Sequence, residues 1–314
     1  MRYLDPKADL TFKRVFGEHP DLVMSLLNAL LPLEEGEEIT HIEYLPLELV
    51  PNNPLKKNSI VDVRCKDKKG RQFIVEMQMI WSPEFKHRVL FNASKAYVRQ
   101  MDAGEQYELL QPVYSLNLVN EVFEPDLDEY YHYYNMVHVQ HTEKVIDGLH
   151  LIFVELPKFT SHTYAEKKMQ VLWLRYLTEI SEKTREVPHD LLENPQIKKA
   201  VTALEESAFT EAQLLGYEKF WDIISVEKTL YSSAERRGMA KGMAEGIEKG
   251  MAEGIEKGMA EGIEKGIEKG IEKGIEKGEL LKQQEIARKM KEEGFSTEMI
   301  AKFTGLSIEE ANKL

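Results

Sequence analysis

The sequence predicts an α/β fold: a mixed sheet flanked by helices on both sides, then a helical region, a glycine-periodic stretch and a small helical tail. Three observations carry this. Residues 58–80 hold two strand-like runs around a polar turn. Helical and strand-like segments follow one another in the order α-β-β-β-α-β up to about residue 160. Beyond residue 163 the chain has helical periodicity or regularly spaced glycine. The expected organisation is an α/β domain over 1–160, a helical region over 161–233, a repeat over 234–280 and a tail over 281–314.

Residues 9–32 have helical spacing, with Phe12, Val15 and Phe16 on one face and Asp9 placed to cap the start. The stretch from Gly17 to Pro20 breaks the helix, and Asp21 restarts it through Leu31. Residues 39–50 (ITHIEYLPLELV) read as a strand, followed by the loop PNNPLKK. The hairpin strands come next, at 59–66 and 71–80. A helix follows, with Ser82 as N-cap, Pro83 in its first turn and Gly104 past its end. Phe85, Val89, Ala93, Ala96, Tyr97 and Met101 form its apolar stripe, while Arg88, Lys95, Arg99 and Gln100 lie off it.

Further strands are expected at 111–120 (QPVYSLNLVN), in YYHYYNMVHVQ and in LHLIFVELPKF. His138 and His141 read as lacking a cysteine or acidic partner, which argues against a metal pair. The helical region carries no evident chemistry, and Trp173 and Trp221 read as packing residues.

The hairpin is where chemistry concentrates. Side chains alternate across a strand, so Val61, Val63 and Cys65 are expected on one face and Asp62, Arg64 and Lys66 on the other. Lys68-Lys69-Gly70 suits a three-residue loop whose last position is left-handed, a conformation open to glycine. That loop pairs Asp67 with Arg71 and, stepping inward, Asp62 with Glu76. A two-residue loop would set Asp62 against Val75 and mix the faces. Directly opposite residues have Cβ atoms about 4.5–5.5 Å apart, so the two carboxylates repel unless a cation lies between them. Mg²⁺ favours such a site, with one or two carboxylates, several waters and substrate phosphate oxygens. Gln78 projects from the same face as Glu76, placed to orient a water or a phosphate.

Asp62, followed after the turn by Glu76-x-Gln78, resembles the core of the PD-(D/E)XK nucleases, with Val61-Asp62 for Pro-Asp and Gln78 for the usual lysine. The Gln form is closest to the recombination-promoting nuclease, or putative transposase, family. DLTFKRVFG before a Leu-Asn run, the spacing Arg88…Tyr97-x-x-Gln100, and ELPKF at 155–159 resemble the same family. The resemblance implies a Mg²⁺-dependent DNA endonuclease, with Mn²⁺ able to substitute. In it Asp62, Glu76 and the Met77 carbonyl would hold the metal, and Gln78 would position the attacking water or the phosphate. It leaves Asp9 and Lys13 open to an active-site role beside their reading as a cap and a surface lysine. Lys68, Lys69, Arg88, Lys95 and Arg99 are candidate DNA contacts. The competing expectation is a catalytically weak scaffold that binds DNA or self-assembles.

The net charge of −13 opposes passive binding to nucleic acid, but the acidity falls mainly in residues 121–233. Near the hairpin Lys56, Lys57, Lys66, Lys68, Lys69 and Arg71 form a local basic group. One cysteine, Cys65, excludes an intramolecular disulfide and suits a reducing cytoplasm. The N-terminus does not read as a signal peptide, and no run approaches the ~20 apolar residues of a membrane span.

From Gly238 to Gly278 glycine falls at every fourth position, in GMAE and GIEK units. Each glycine costs about 1 kcal/mol in a helix relative to alanine. A four-residue period overshoots 3.6, so the Met/Ile row precesses by about 40° per step. The stretch reads either as a helix for right-handed, close-packed self-association into a homo-oligomer or as a flexible tether. In the tail, Gly294, Ser296, Gly305 and Ser307 have helix-turn-helix spacing. Glu309 and Glu310 favour a helical cap or docking element over groove reading.

Overall fold

The computed structural model describes residues 2–49, 59–102, 104–160 and 168–314. The expected loop PNNPLKK, with Lys56 and Lys57, lies outside these residues. The chain forms two compact units, Met1–Tyr231 and Ser232–Leu314.

The first unit opens with α1 (Asp9–Gly17) and α2 (Pro20–Leu30). Then come β1 (Ile42–Tyr44), β2 (Val63–Asp67) and β3 (Gln72–Gln78). After α3 (Glu84–Val98) the chain enters β4 (Val113–Val119), β5 (Tyr131–His138) and β6 (His141–Glu155). Three helices, α4 (Lys168–Glu179), α5 (His189–Leu192) and α6 (Pro195–Thr202), precede α7 (Glu211–Glu292), whose first turns belong to this unit. The six strands make one mixed sheet in the order β1-β2-β3-β4-β6-β5. β4 runs parallel to both β3 and β6, and the other neighbours are antiparallel. Parallel strands need a crossover, and α3 supplies it between β3 and β4.

Both faces of the sheet are covered. On one, Val63, Cys65, Phe73, Val75, Leu116 and Ile152 share a core with Phe12, Phe16, Leu26, Trp173 and Ile197 from α1, α2, α4 and α6. Each such side chain contributes about 1.5–3 kcal/mol by leaving water. Trp173 packs 5.4 Å from Phe16, and its Nε1–H donates to Ser25 Oγ at 3.0 Å, so its polar edge is satisfied. On the other face α3 sets Ala93 and Ala96 against Ile74 and Val113, and Phe85 and Val89 against Val119 and Phe153.

The hairpin register is as expected. Val63 faces Val75 and Lys66 faces Gln72, which places Asp62 at the level of Glu76. The loop is Lys68-Lys69-Gly70: Asp67 N–H donates to the Arg71 carbonyl at 3.0 Å, and Gly70 has φ +85°. A Cβ added at Gly70 would lie 3.1 Å from Gln111 Cγ. Gly70→Ala should therefore cost about 1–2 kcal/mol, through the left-handed penalty alone. Equilibrium urea unfolding reads this as a lowered midpoint with unchanged slope.

Several expectations need correcting. The strand over 39–50 contracts to β1, because Pro46 lacks a donor for the ladder; beyond it, among the described residues, Glu48 bridges to Ile60. Ser82 is not the cap of α3: Pro83 is, and Ser82 offers its carbonyl to the Phe85 N–H at 2.9 Å. α3 ends at Val98, which leaves Met101, the last residue of the expected stripe, beyond the helix, with Gly104 past its end as expected. The N-cap of α1 is Ala8, and Asp9 instead pairs with Lys13 at 2.6 Å. β6 begins at His141, eight residues before Leu149, since the outer half of the β5–β6 ribbon is exposed on both sides and lacks apolar alternation. The chain leaves β6 at Glu155, and ELPKF continues as a single 3₁₀ turn.

In the second unit the repeat residues lie within α7, with Met239, Met243, Ile247 and the later isoleucines exposed. Gly294 and Gly305, both at positive φ, end α7 and α8 (Thr297–Thr304). α9 (Ile308–Lys313) starts at a Ser307–Glu310 capping box, which accounts for one of the two tail glutamates. Ala287, Ile300, Leu306 and Ala311 bury a small core of their own. No helix among the described residues is long and apolar enough to cross a membrane.

Candidate active site

Asp62 stands at a bend one residue before β2. Hydrogen-bonded pairs recur at every second residue of an antiparallel ladder, so the Asp67–Arg71 pair implies Val61 opposite Met77. The ladder lapses first. Val61 N–H donates to the Leu47 carbonyl at 3.2 Å, and its side chain packs with Ile74 and Ala93 beneath α3, not on the face of Val63 and Cys65 as alternation predicts. The Met77 N–H is taken by Asp62 Oδ2 at 2.9 Å. The Met77 carbonyl points to the same side of β3 as that N–H, since both groups of a strand residue face one neighbour.

Glu76 faces α3 and is 5% exposed. Its Oε1 accepts from Asn92 Nδ2 at 2.9 Å, and its Oε2 lies 3.5 Å from the Arg88 guanidinium. Arg88 also donates to Gln78 Oε1 at 2.6 Å, while Gln78 Nε2 donates to the Ile80 carbonyl. Asn92, itself 1% exposed, receives Ser59 Oγ on its other end at 2.5 Å. Arg88 and Asn92 are one turn apart on α3, so the helix presents both to the end of β3. Asp62, Glu76, Met77, Gln78 and Arg88 line one cleft of about 900 Å³, together with Ile60 and Phe91.

Burial pushes both carboxyls up. For Asp62 this outweighs the Met77 N–H and the nearby charges of Lys13 and Arg88, with Asp9 opposing them. For Glu76 it outweighs Arg88 and Asn92, and Asp62 adds to the rise. Two buried acids, one of them raised further by the other, make a site short of positive charge. The donor set is two carboxylates and a strand carbonyl on one cleft wall. It suits a small hard divalent cation that keeps several waters. Among the described residues no three His, Cys, Asp or Glu side chains converge as a ready-made cage.

The other expected residues are dispersed. Lys13 of α1, paired with Asp9, is close enough for its charge to reach Asp62. Lys68 and Lys69 sit on the turn at the far end of the hairpin, roughly 17 Å from Asp62 along the strand. Lys69 is paired with Glu37 at 2.5 Å. Lys95 donates to the Leu49 carbonyl at 2.9 Å. Arg99 is exposed at the end of α3, roughly 16 Å along the helix from Arg88. Gln100 holds the end of α3 to Gln111 through two hydrogen bonds, at 2.8 and 3.1 Å, and Tyr97 packs on Gly148; both are scaffold contacts. His138 and His141 have rings 5.0 Å apart at the exposed tip of the β5–β6 ribbon. His141 does have an acidic neighbour, Glu143 at 3.6 Å, contrary to expectation.

The sequence reading missed Asn92. A signal was present: a poor helix former at i+4 from Arg88 and i+3 from Val89, on the edge of the apolar stripe.

Comparison with known proteins gives one finding. The pattern that defines the PD-(D/E)XK nuclease family transposases matches residues 6–225 of this chain. No curated protein and no solved structure matches it.

Proposed function

The chain belongs to the PD-(D/E)XK nuclease family transposases, and from that premise we propose that it is a metal-dependent DNA endonuclease that hydrolyses phosphodiester bonds and promotes recombination in the cytoplasm. The observation that carries the reading is the cleft in which Asp62, Glu76 and Gln78 meet Arg88. Asp62, Glu76 and the Met77 carbonyl would hold Mg²⁺, or Mn²⁺ in its place. When bound, the ion supplies a water of lowered pKa and neutralises charge on the phosphate. Glutamine neither takes up a proton nor carries charge, so Gln78 orients the water or the phosphate by hydrogen bonding. The positive charge that a lysine would bring comes from Arg88, held between Gln78 and Glu76. A guanidinium presents its donors in a planar fork that matches phosphate. Lys95 and Arg99 extend the basic face of α3 along a bound backbone, with Lys68 and Lys69 as more distant contacts.

Asn92 is a positioning residue in this scheme, fixing the Glu76 carboxylate from behind. Asn92→Ala should lower the cleavage rate about 10–100-fold and weaken metal affinity by a similar factor. Single-turnover cleavage across a Mg²⁺ titration separates the two.

The test of the function is cleavage of supercoiled plasmid in Mg²⁺ and in chelator, with Asp62→Ala and Glu76→Ala alongside. Nicking or linearisation that needs the metal and that both variants lose supports the reading; equal background in all three overturns it. A second reading rests on the exposed Met/Ile row of α7: the chain is a weak nuclease scaffold that assembles with copies of itself through the repeat. Wild type that never cleaves, yet loses its oligomeric state when residues 238–278 are removed, would favour it.

A further inference from the structure

A second cleft, of about 600 Å³, lies at the other end of the sheet and on its other face. Glu76 to Gln78 pair with Asn117 to Val119, at one end of β4; this cleft is built around Tyr114, near the other. Three of its side chains form a continuous relay. Tyr133 Oη lies 2.6 Å from His150 Nδ1, and His150 Nε2 lies 2.6 Å from Asp147 Oδ1. The imidazole is buried and stacked on Tyr114, with ring centroids 4.2 Å apart and planes 7° from parallel. The Tyr133 ring is within 15° of the imidazole plane.

An ionised carboxylate only accepts hydrogen bonds, so Asp147 takes a proton carried on His150 Nε2. In the tautomer with its proton on Nε2 alone, Nδ1 carries the lone pair and accepts from the Tyr133 hydroxyl. A nucleophile within hydrogen-bond reach of a base, with that base oriented by a third group, is the arrangement that activates serine and cysteine, and Tyr133 stands in the nucleophile's place here. Asn135 Nδ2 donates to Tyr133 Oη at 3.4 Å, and the cations on the wall, Lys69 and Arg71, are paired with Glu37, Arg71 also with Asp67.

We propose that this cleft is a second reactive centre, in which Tyr133 attacks a phosphodiester and holds the phosphoryl group covalently. The Tyr133 oxygen bonds to phosphorus as its proton passes to His150 Nδ1. The bond from phosphorus to the leaving alcohol breaks, and the proton returns from His150 to the departing oxygen. The products are a phosphotyrosyl diester and a free alcohol; nothing is oxidised or reduced. The choice of a phosphodiester rests on the function proposed above, whereas the relay stands independently of it.

The test treats the full chain, in chelator, with bis(4-nitrophenyl) phosphate, following nitrophenolate release and the mass of the Tyr133 peptide. Wild type should release one equivalent per chain and carry one 4-nitrophenylphosphoryl group on Tyr133. Tyr133→Phe should lose the adduct. Asp147→Asn, which leaves the stack on Tyr114 in place, should slow it about 10²-fold. Asp62→Ala should form it at the wild-type rate. The proposal is overturned by no adduct on wild type, by labelling spread equally over Tyr133 and the exposed Tyr107, by a wild-type rate in Asp147→Asn, or by loss of the adduct in Asp62→Ala. Failure of the endonuclease reading would show separately, as plasmid left uncut in Mg²⁺.

Discussion

Asp62→Asn is expected to lower metal-dependent DNA cleavage on the order of 10³-fold while leaving the fold intact. The substitution is chosen for what it keeps. An amide oxygen still accepts the Met77 N–H that Asp62 Oδ2 holds at 2.9 Å, so the bend before β2 survives. What it removes is a buried charge that raises the Glu76 carboxyl. Without metal, the variant should melt no lower than wild type. With metal, the two should part. A ligand that binds only the folded state stabilises it by about 2.7 kcal/mol at a hundred times Kd. Wild type should therefore gain melting temperature in Mg²⁺, and Asp62→Asn should gain little. Thermal melts with and without the ion, beside the cleavage assay, check both halves. Equal metal-induced shifts in the two proteins would remove Asp62 from the metal site whatever the cleavage rates.

Glu155→Ala should produce the largest loss of stability, about 3–5 kcal/mol, because it strands a cation. Glu155 ends β6 with no exposed surface. Its carboxylate accepts the N–H groups of Phe123 and Glu124, each at 2.7 Å, and pairs with Lys158. Lys158 in turn holds the carbonyls of Glu124 and Leu127, so one ion pair fastens the β4–β5 connection to the sheet. In a unit of this size the loss corresponds to a fall of about 10 °C in melting temperature. Burial alone would push the carboxyl up, but Lys158 and the two N–H groups outweigh it and hold it below the usual glutamate range. The unfolded chain therefore takes up this proton more readily than the folded one. The contribution is complete above about pH 5 and is lost as pH falls through the depressed folded value. Melting of wild type and Glu155→Gln between neutral and acid pH checks the sign: the gap should narrow as the pH drops.

The hairpin was the most legible part of the molecule, and the reason is locality. Loop length, the glycine at its left-handed position and the two-residue alternation all act within about twenty residues, and together they select one register. The pairing of Val63 with Val75 and the place of Gly70 follow from those short-range rules. The break between α1 and α2, and the buried row of Phe12, Val15 and Phe16, are local in the same sense.

Alternation misled at Val61, because the bend at Asp62 is set by packing beneath α3 and by the Met77 N–H, neither of them a neighbour in sequence. The same holds for what surrounds the carboxylates. Arg88 and Asn92 reach Glu76 because a parallel pairing of β3 with β4 requires a crossover helix over the end of β3. The relay of Tyr133, His150 and Asp147 forms because β6 inserts between β4 and β5, which brings the β4 ring of Tyr114 under the imidazole. Residue types, turn chemistry and hairpin register were thus determined by the sequence alone, through interactions that a few bonded neighbours decide. Which groups share a cleft was decided by sheet order and helix packing, since those contacts join residues that only the folded chain brings together.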